Sequence, residues 1–272
     1  TDTQLNRKVD SCGNNLVKVS ENPFNQSPDQ SRNCFEDGRE TIFRGQPFHD
    51  ALNQHKSRRN QVTDMGEKRN GFMPTYFHGD HASTFISGTW SRGIHDFDLE
   101  RAYKLILKNA TVAGPGGRDY MAEYLERGWI SDKDTTGTRF DIEFKGGAQK
   151  VLEYTYDDYA TALVAQFVGD QENYEKLIKQ SKNYKNIFNP ENGFYQGRTP
   201  DGGWIRDFDP DYPYLHHMWR EANAWNLLFF PMHDVEEIID MYPSEEVVEA
   251  KLDTLFSKPW CGVEAENITG FL

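Results

Sequence analysis

The stretch AQKVLEYTYDDYATALVAQFV, Ala148 to Val168, decides the fold. It is long enough, and apolar enough around its whole circumference, to be a helix lying deep in a core, and Gly169 stops it. Upstream, DLERAYKLILKN (Asp98 to Asn109) opens on an Asp that suits an N-cap and puts Leu99, Ala102, Tyr103, Ile106 and Leu107 on one face. Arg118 to Arg127 reads as a short helix closed by Gly128. Downstream, further helical blocks run over Glu172 to Ile187, Arg220 to Phe230, Val235 to Met241 and Glu245 to Phe256. The Gly, Pro and Asp-rich stretch from Phe188 to Tyr214 predicts a long loop or a small hairpin, and long loops in compact domains often carry function. Residues 1 to 69 are polar and read as an irregular N-terminal segment. Residues 70 to 272 read as a helical domain, paired helices joined by aromatic and acidic loops, which fits a helical toroid or a bundle.

Composition narrows the partners. The 272 residues hold 43 Asp and Glu against 30 Lys and Arg, a formal charge of −13 that repels polyanions, so nucleic acid and anionic membrane are poor partners. No apolar run approaches the roughly 18 residues of a membrane span, and no signal peptide begins the sequence. Cys12, Cys34 and Cys261 have no zinc-ligand spacing; a Cys12–Cys34 disulfide would fit an oxidising compartment. N-x-S/T sequons stand at Asn25, Asn109 and Asn267.

The signatures of acyl transfer and of nucleotide binding are missing, which leaves carboxylates and aromatics. They cluster in GFMPTYFHGDHA (Gly71 to Ala82), LEYTYDDY (Leu152 to Tyr159), GFYQGRTPDGGWI (Gly193 to Ile205) and YPYLHHMWREANAW (Tyr212 to Trp225). Cleaving a glycosidic bond needs a carboxylic acid still protonated near neutral pH and a second carboxylate across the sugar. Glu221, between Trp219 and Trp225, is the best placed acid, because apolar walls raise a carboxyl pKa. Asp157 and Asp158 project about 100° apart on a helix, so one caps or pairs within the protein while the other faces solvent or a pocket. Asp80 is read as a helix N-cap or a substrate ligand. Arg198 suits a sugar hydroxyl or a buried ion pair, and Trp204 and Trp225 suit stacking against a sugar or packing in the core.

WREANAW, LEYTYDDYA, KQSKNYKNIFNPENGFYQGR, PMHD (Pro231 to Asp234), KLDTLF and ENITGF stand in the order and spacing of glycoside hydrolase family 92, which the chain resembles from about Gly71 to Leu272. The resemblance implies a mainly α fold, part of an (alpha/alpha)6 helical toroid that is incomplete relative to the family. It implies an exo-acting, inverting alpha-mannosidase that removes terminal mannose from glycans, with Glu221 of the E-x-N-A-W motif as general acid. Many members have Gly where this chain has Ala222. A calcium ion is implied as cofactor, with its main ligands expected beyond Leu272 and none assigned here. The general base is likewise expected beyond Leu272, and neither the preceding β-sandwich nor the Trp-Asp motif that opens the barrel is seen, so the chain reads as a portion of a longer enzyme that is inactive by itself. A secreted, periplasmic or cell-surface location is expected. The competing readings are a non-catalytic glycan-binding remnant lacking base and calcium site, and another toroidal carbohydrate enzyme, such as a lyase, using Tyr214, His216 and His217.

Overall fold

The computed structural model describes residues 71–73, 79–132, 145–212, 218–220 and 222–257. They all lie in the larger of two compact units into which the chain divides. The expectations for residues 1–69, for Cys12, Cys34 and Cys261, and for Asn25 and Asn267 fall outside the described residues.

The described residues are mainly helical: α1 (Ala82–Ser91), α2 (Leu99–Thr111), α3 (Met121–Arg127), α4 (Gly147–Val168), α5 (Gln171–Gln180), α6 (Val235–Asp240) and α7 (Glu245–Ser257), with 3-10 turns at Asn183–Ile187 and Met232–Asp234. As the sequence predicts, α4 is the central element. It is buried on all sides from Gly147 to Ala165, except at half-buried Tyr156, Tyr159 and Leu163, and α1, α2 and α5 all pack on it. Gly169, in the left-handed region at φ 80°, ends it. Helix α2 begins where Asp98 accepts the Arg101 amide at 2.9 Å, and its apolar stripe joins Met73, Ile86, Val164 and Ala165 in one core cluster. Strands β1 (Phe188–Asn189) and β2 (Phe194–Tyr195) pair antiparallel, so the stretch after Phe188 opens as the small hairpin its composition predicts.

Three local expectations differ from the structure. The Arg118 to Arg127 block becomes helical only at Met121, because Arg118 turns inward to buried carboxylates and Tyr120 sits at φ 54°. Residues 222–230 form turns instead of a helix. There Asn223 and Asn226 accept each other's backbone amides, at 2.9 and 3.1 Å, which competes with helical bonding. The sequon at Asn109 is fully buried, its amide donating to Met73 O and Asp80 Oδ2, so in this fold it is no glycan acceptor.

Candidate active site

The N-terminus of α4 is where separate stretches of chain converge. A helix leaves its first amides without intrahelical acceptors. Here the Asp132 carboxylate takes those of Gly147 and Ala148, at 2.7 and 2.9 Å, and Met218 O takes that of Gln149 at 3.3 Å. A Cβ on Gly147 would lie 2.6 Å from Ile130 O, so glycine is what lets the Ile130–Asp132 segment approach. Burial pushes Asp132 up to about 7 despite those amides and the nearby Lys145 and Lys150. Gln149, itself buried, accepts the Arg220 amide on Oε1 at 2.7 Å.

One turn along α4, Glu153 lies 3.4 Å from His81 Nε2, and another turn on, Asp157 lies 3.3 Å from His81 Nδ1. Burial pushes Glu153 up to about 7, against the pull of His81. The hydrogen bond to Asp157 raises His81 to about 9, although burial opposes it. Asp157 also accepts the Asp80 amide at 2.8 Å and the Ser83 hydroxyl at 3.2 Å. Burial works against its charge, but His81, Arg118 and Asp80 hold it below the usual carboxylate range.

Behind this layer the adjacent Asp158 faces the other way, as helical geometry requires. It accepts Arg118 Nη1 at 2.5 Å, the Tyr124 hydroxyl at 2.8 Å and Gln180 Nε2 at 2.9 Å. Asp80 accepts Arg118 Nε at 2.7 Å and Asn109 Nδ2 at 2.9 Å. Burial disfavours the Asp80 anion and raises its carboxyl well above the ordinary value, against the pull of Arg118, and the neighbouring Asp157 adds to the rise.

The structure therefore brings Asp80, Asp157 and Asp158 together, fully buried and with oxygens that accept hydrogen bonds from protein donors. Asp80 is not the N-cap of α1; that position belongs to His81, and the Asp80 side chain points inward because Arg118 and Asn109 offer it better partners than one helix amide does. Arg198 holds no carboxylate: it lies 4.0 Å over the Trp204 ring and donates to the Asn186 and Gly202 carbonyls, tying the loop to itself. Trp225 packs edge-on against Phe194 at 4.8 Å and donates Nε1 to Asp211 at 2.7 Å. Glu221, Tyr214, His216 and His217 lie outside the described residues. On either side of Glu221, Arg220 is held by Gln149, and Ala222 to Trp225 are buried. The reading of single motifs missed Gln149, Glu153, Asp132 and Arg118, although Gln149, Glu153 and Asp157 repeat at the four-residue spacing that lines one helical face.

Among the described residues no group of three or more His, Cys, Asp or Glu side chains is arranged to hold a metal ion. The buried carboxylates are hydrogen-bonded to protein donors, so the described residues do not make the oxygen cradle that calcium requires.

Residues 52–270 match the model of the glycosyl hydrolase family 92 catalytic domain. An uncharacterized secreted glycosidase of Arthroderma benhamiae is 25% identical over 209 residues, 65% of this chain and 26% of that protein. Among solved structures, a family GH92 alpha-mannosidase of Bacteroides thetaiotaomicron matches with a TM-score of 0.63 at 24% identity, over 73% of this chain and 26% of that one. A GH92 inverting mannosidase of the same bacterium matches with a TM-score of 0.62 at 22% identity, over 78% and 29%. The chain thus spans little more than a quarter of the length of these relatives. With its ordered motifs carried on a helical frame shared with these solved structures, and a family match running over most of its length, the chain belongs to glycosyl hydrolase family 92, a family of glycoside hydrolases.

Proposed function

We propose that the protein acts as an inverting exo-alpha-mannosidase on terminal mannose of glycans, with Glu221 donating the proton to the leaving oxygen, and that the described helices belong to an (alpha/alpha)6 toroid. The observation that carries this reading is the family match combined with the anchoring of the chain on both sides of Glu221, by Gln149 before it and by the buried Ala222–Trp225 segment after it. The mannosidase neighbours, one of them in complex with mannoimidazole, support mannose as the sugar. The secreted glycosidase among the relatives supports a location outside the cytoplasm.

In this mechanism a protonated Glu221 relieves the charge building on the departing oxygen, while a water activated by a second carboxylate attacks from the opposite face. Asp80, Asp157 and Asp158 are fully buried and hydrogen-bonded, so they supply the frame and not that base. Calcium would supply polarisation of the mannose hydroxyls; the described residues do not form its site.

The test is release of mannose from alpha-mannosides by the full-length protein, with the anomer of the first-formed product read by NMR. Glu221→Gln is expected to lower turnover by about 100 to 10,000-fold on poor leaving groups, roughly 3 to 5 kcal/mol of barrier, and much less on leaving groups that need no proton. Equal losses on both substrate types would sink the general-acid assignment, and an alpha-anomer as first product would sink inversion.

A further inference from the structure

The Gln149 side chain touches neither of the buried ion pairs, yet it is the point at which α4 meets the segment leading into Glu221. Its backbone N–H donates to Met218 O at 3.3 Å, and its side-chain Oε1 accepts the Arg220 N–H at 2.7 Å. One residue thus grips the Met218–Arg220 stretch twice, once from its main chain and once from its side chain. The side-chain bond is the more informative. Its acceptor must be the amide oxygen, because a backbone N–H can only donate, and the primary amide cannot flip without losing this bond. The next residue after Arg220 is Glu221, whose Cα follows at the fixed spacing of about 3.8 Å across a trans peptide.

We infer that Gln149 is a positioning residue for the acid, its side-chain amide oxygen holding the backbone of Arg220, the residue that precedes Glu221. This rests on the reading of Glu221 as general acid. The physical logic is that proton donation tolerates little misplacement: a shift of about 1 Å costs on the order of 100-fold. A loop held by a rigid, largely buried helix stays within that tolerance.

The experiment compares the full-length protein with Gln149→Leu, which removes the side-chain bond to Arg220, Gln149→Asn, which withdraws the amide by one methylene, and Gln149→Glu, which keeps the acceptor for Arg220. Each is assayed on methyl alpha-mannoside, whose leaving group needs a proton, and on 2,4-dinitrophenyl alpha-mannoside, whose leaving group does not. The expected result is a fall in kcat of about 10 to 100-fold on the first substrate and under about 3-fold on the second for the Leu and Asn variants, with KM little changed, and recovery of most of the loss in Gln149→Glu. A merely structural role would lower both substrates alike, and that outcome overturns the inference. Should Gln149→Leu fail to fold, the Asn and Glu variants decide the matter on the same ratio. Glu221→Gln runs alongside as the control: if it discriminates between the substrates and no Gln149 variant does, the positioning role fails while the acid stands. If Glu221→Gln itself does not discriminate, the acid assignment falls and takes the clamp with it.

Discussion

Arg118 carries the buried charge balance. Its guanidinium bridges Asp80 through Nε and Asp158 through Nη1, all three side chains being fully buried, and it lies 5.0 Å from the Tyr154 ring. Removing one partner of a buried pair leaves the other charge without compensation, so Arg118→Met is expected to cost about 3 to 5 kcal/mol in urea unfolding. Arg118→Lys should recover little, because a single ammonium cannot reproduce the two-pronged fork. A loss below about 1 kcal/mol for Arg118→Met would show that the carboxylates find other partners. His81 makes a prediction about pH. Its folded pKa, raised from 6.5 to about 9, lies above the unfolded one, so its contribution to stability is complete below pH 6.5 and is lost as pH rises through 9. Glu153, raised to about 7 by burial, binds its proton more tightly when folded, so its effect is a fall in stability as pH rises from about 4.5 to 7. The imidazole resonances of His81 should titrate near 9, and His81→Asn should flatten the decline in stability above pH 8. A His81 titration at its ordinary value would remove both expectations.

At the scale of elements, the entry to α4 and its exit test two different uses of glycine. Gly147 has helical backbone but no room: a Cβ would meet Ile130 O at 2.6 Å and Asp132 Oδ2 at 2.9 Å. Gly169 has room on every side but a φ of 80°. Alanine normally favours a helix interior over glycine by about 1 kcal/mol. Gly147→Ala should nevertheless destabilise by about 1 to 3 kcal/mol, since it displaces the segment that caps the helix, whereas Gly169→Ala should cost about 1 to 2 kcal/mol from backbone strain alone. Thermal unfolding of the two variants measures this, and a stabilised Gly147→Ala would mean that the Ile130–Asp132 approach is not fixed. The second end of the domain is pinned by His233, which stacks on Tyr159 at 5.1 Å and bonds Ser181 O at 3.1 Å, so the PMHD motif joins α4 to the turn after α5.

Over the whole described domain, burial is uneven. Helix α4 is enclosed by α1, α2 and α5, whereas α7 buries only Val248 among its thirteen residues. Local opening follows that difference. In native-state hydrogen exchange, amides from Val151 to Ala165 are expected to exchange only through global unfolding, while those of α7 exchange through cheaper local opening. Equal protection of the two helices would show that α7 is coupled to the core by more than its own burial. Legibility followed the same division. The central helix, the capped α2 and the small hairpin were written in local signals: an all-round apolar run, an Asp before an amphipathic stripe, and a cluster of Gly, Pro and Asn. The 222–230 turns were not, because Asn223 and Asn226 satisfy amides that periodicity alone assigns to a helix.

The sequence by itself determined that the chain is mainly helical and that Ala148–Val168 lies at its centre. The divergence of Asp157 from Asp158 and, through ordered motifs, the family were also written there. These properties follow from periodicity and residue order, which are carried along the chain. Only the tertiary structure decided which carboxylates are shielded and which groups answer them. Arg118 reaches Asp80 and Asp158 from 38 and 40 residues away, and Gln149 reaches Arg220 across 71. Such pairings depend on helices packing side by side, and a buried charge or amide acquires its role from whatever polar group the packing places within hydrogen-bond reach.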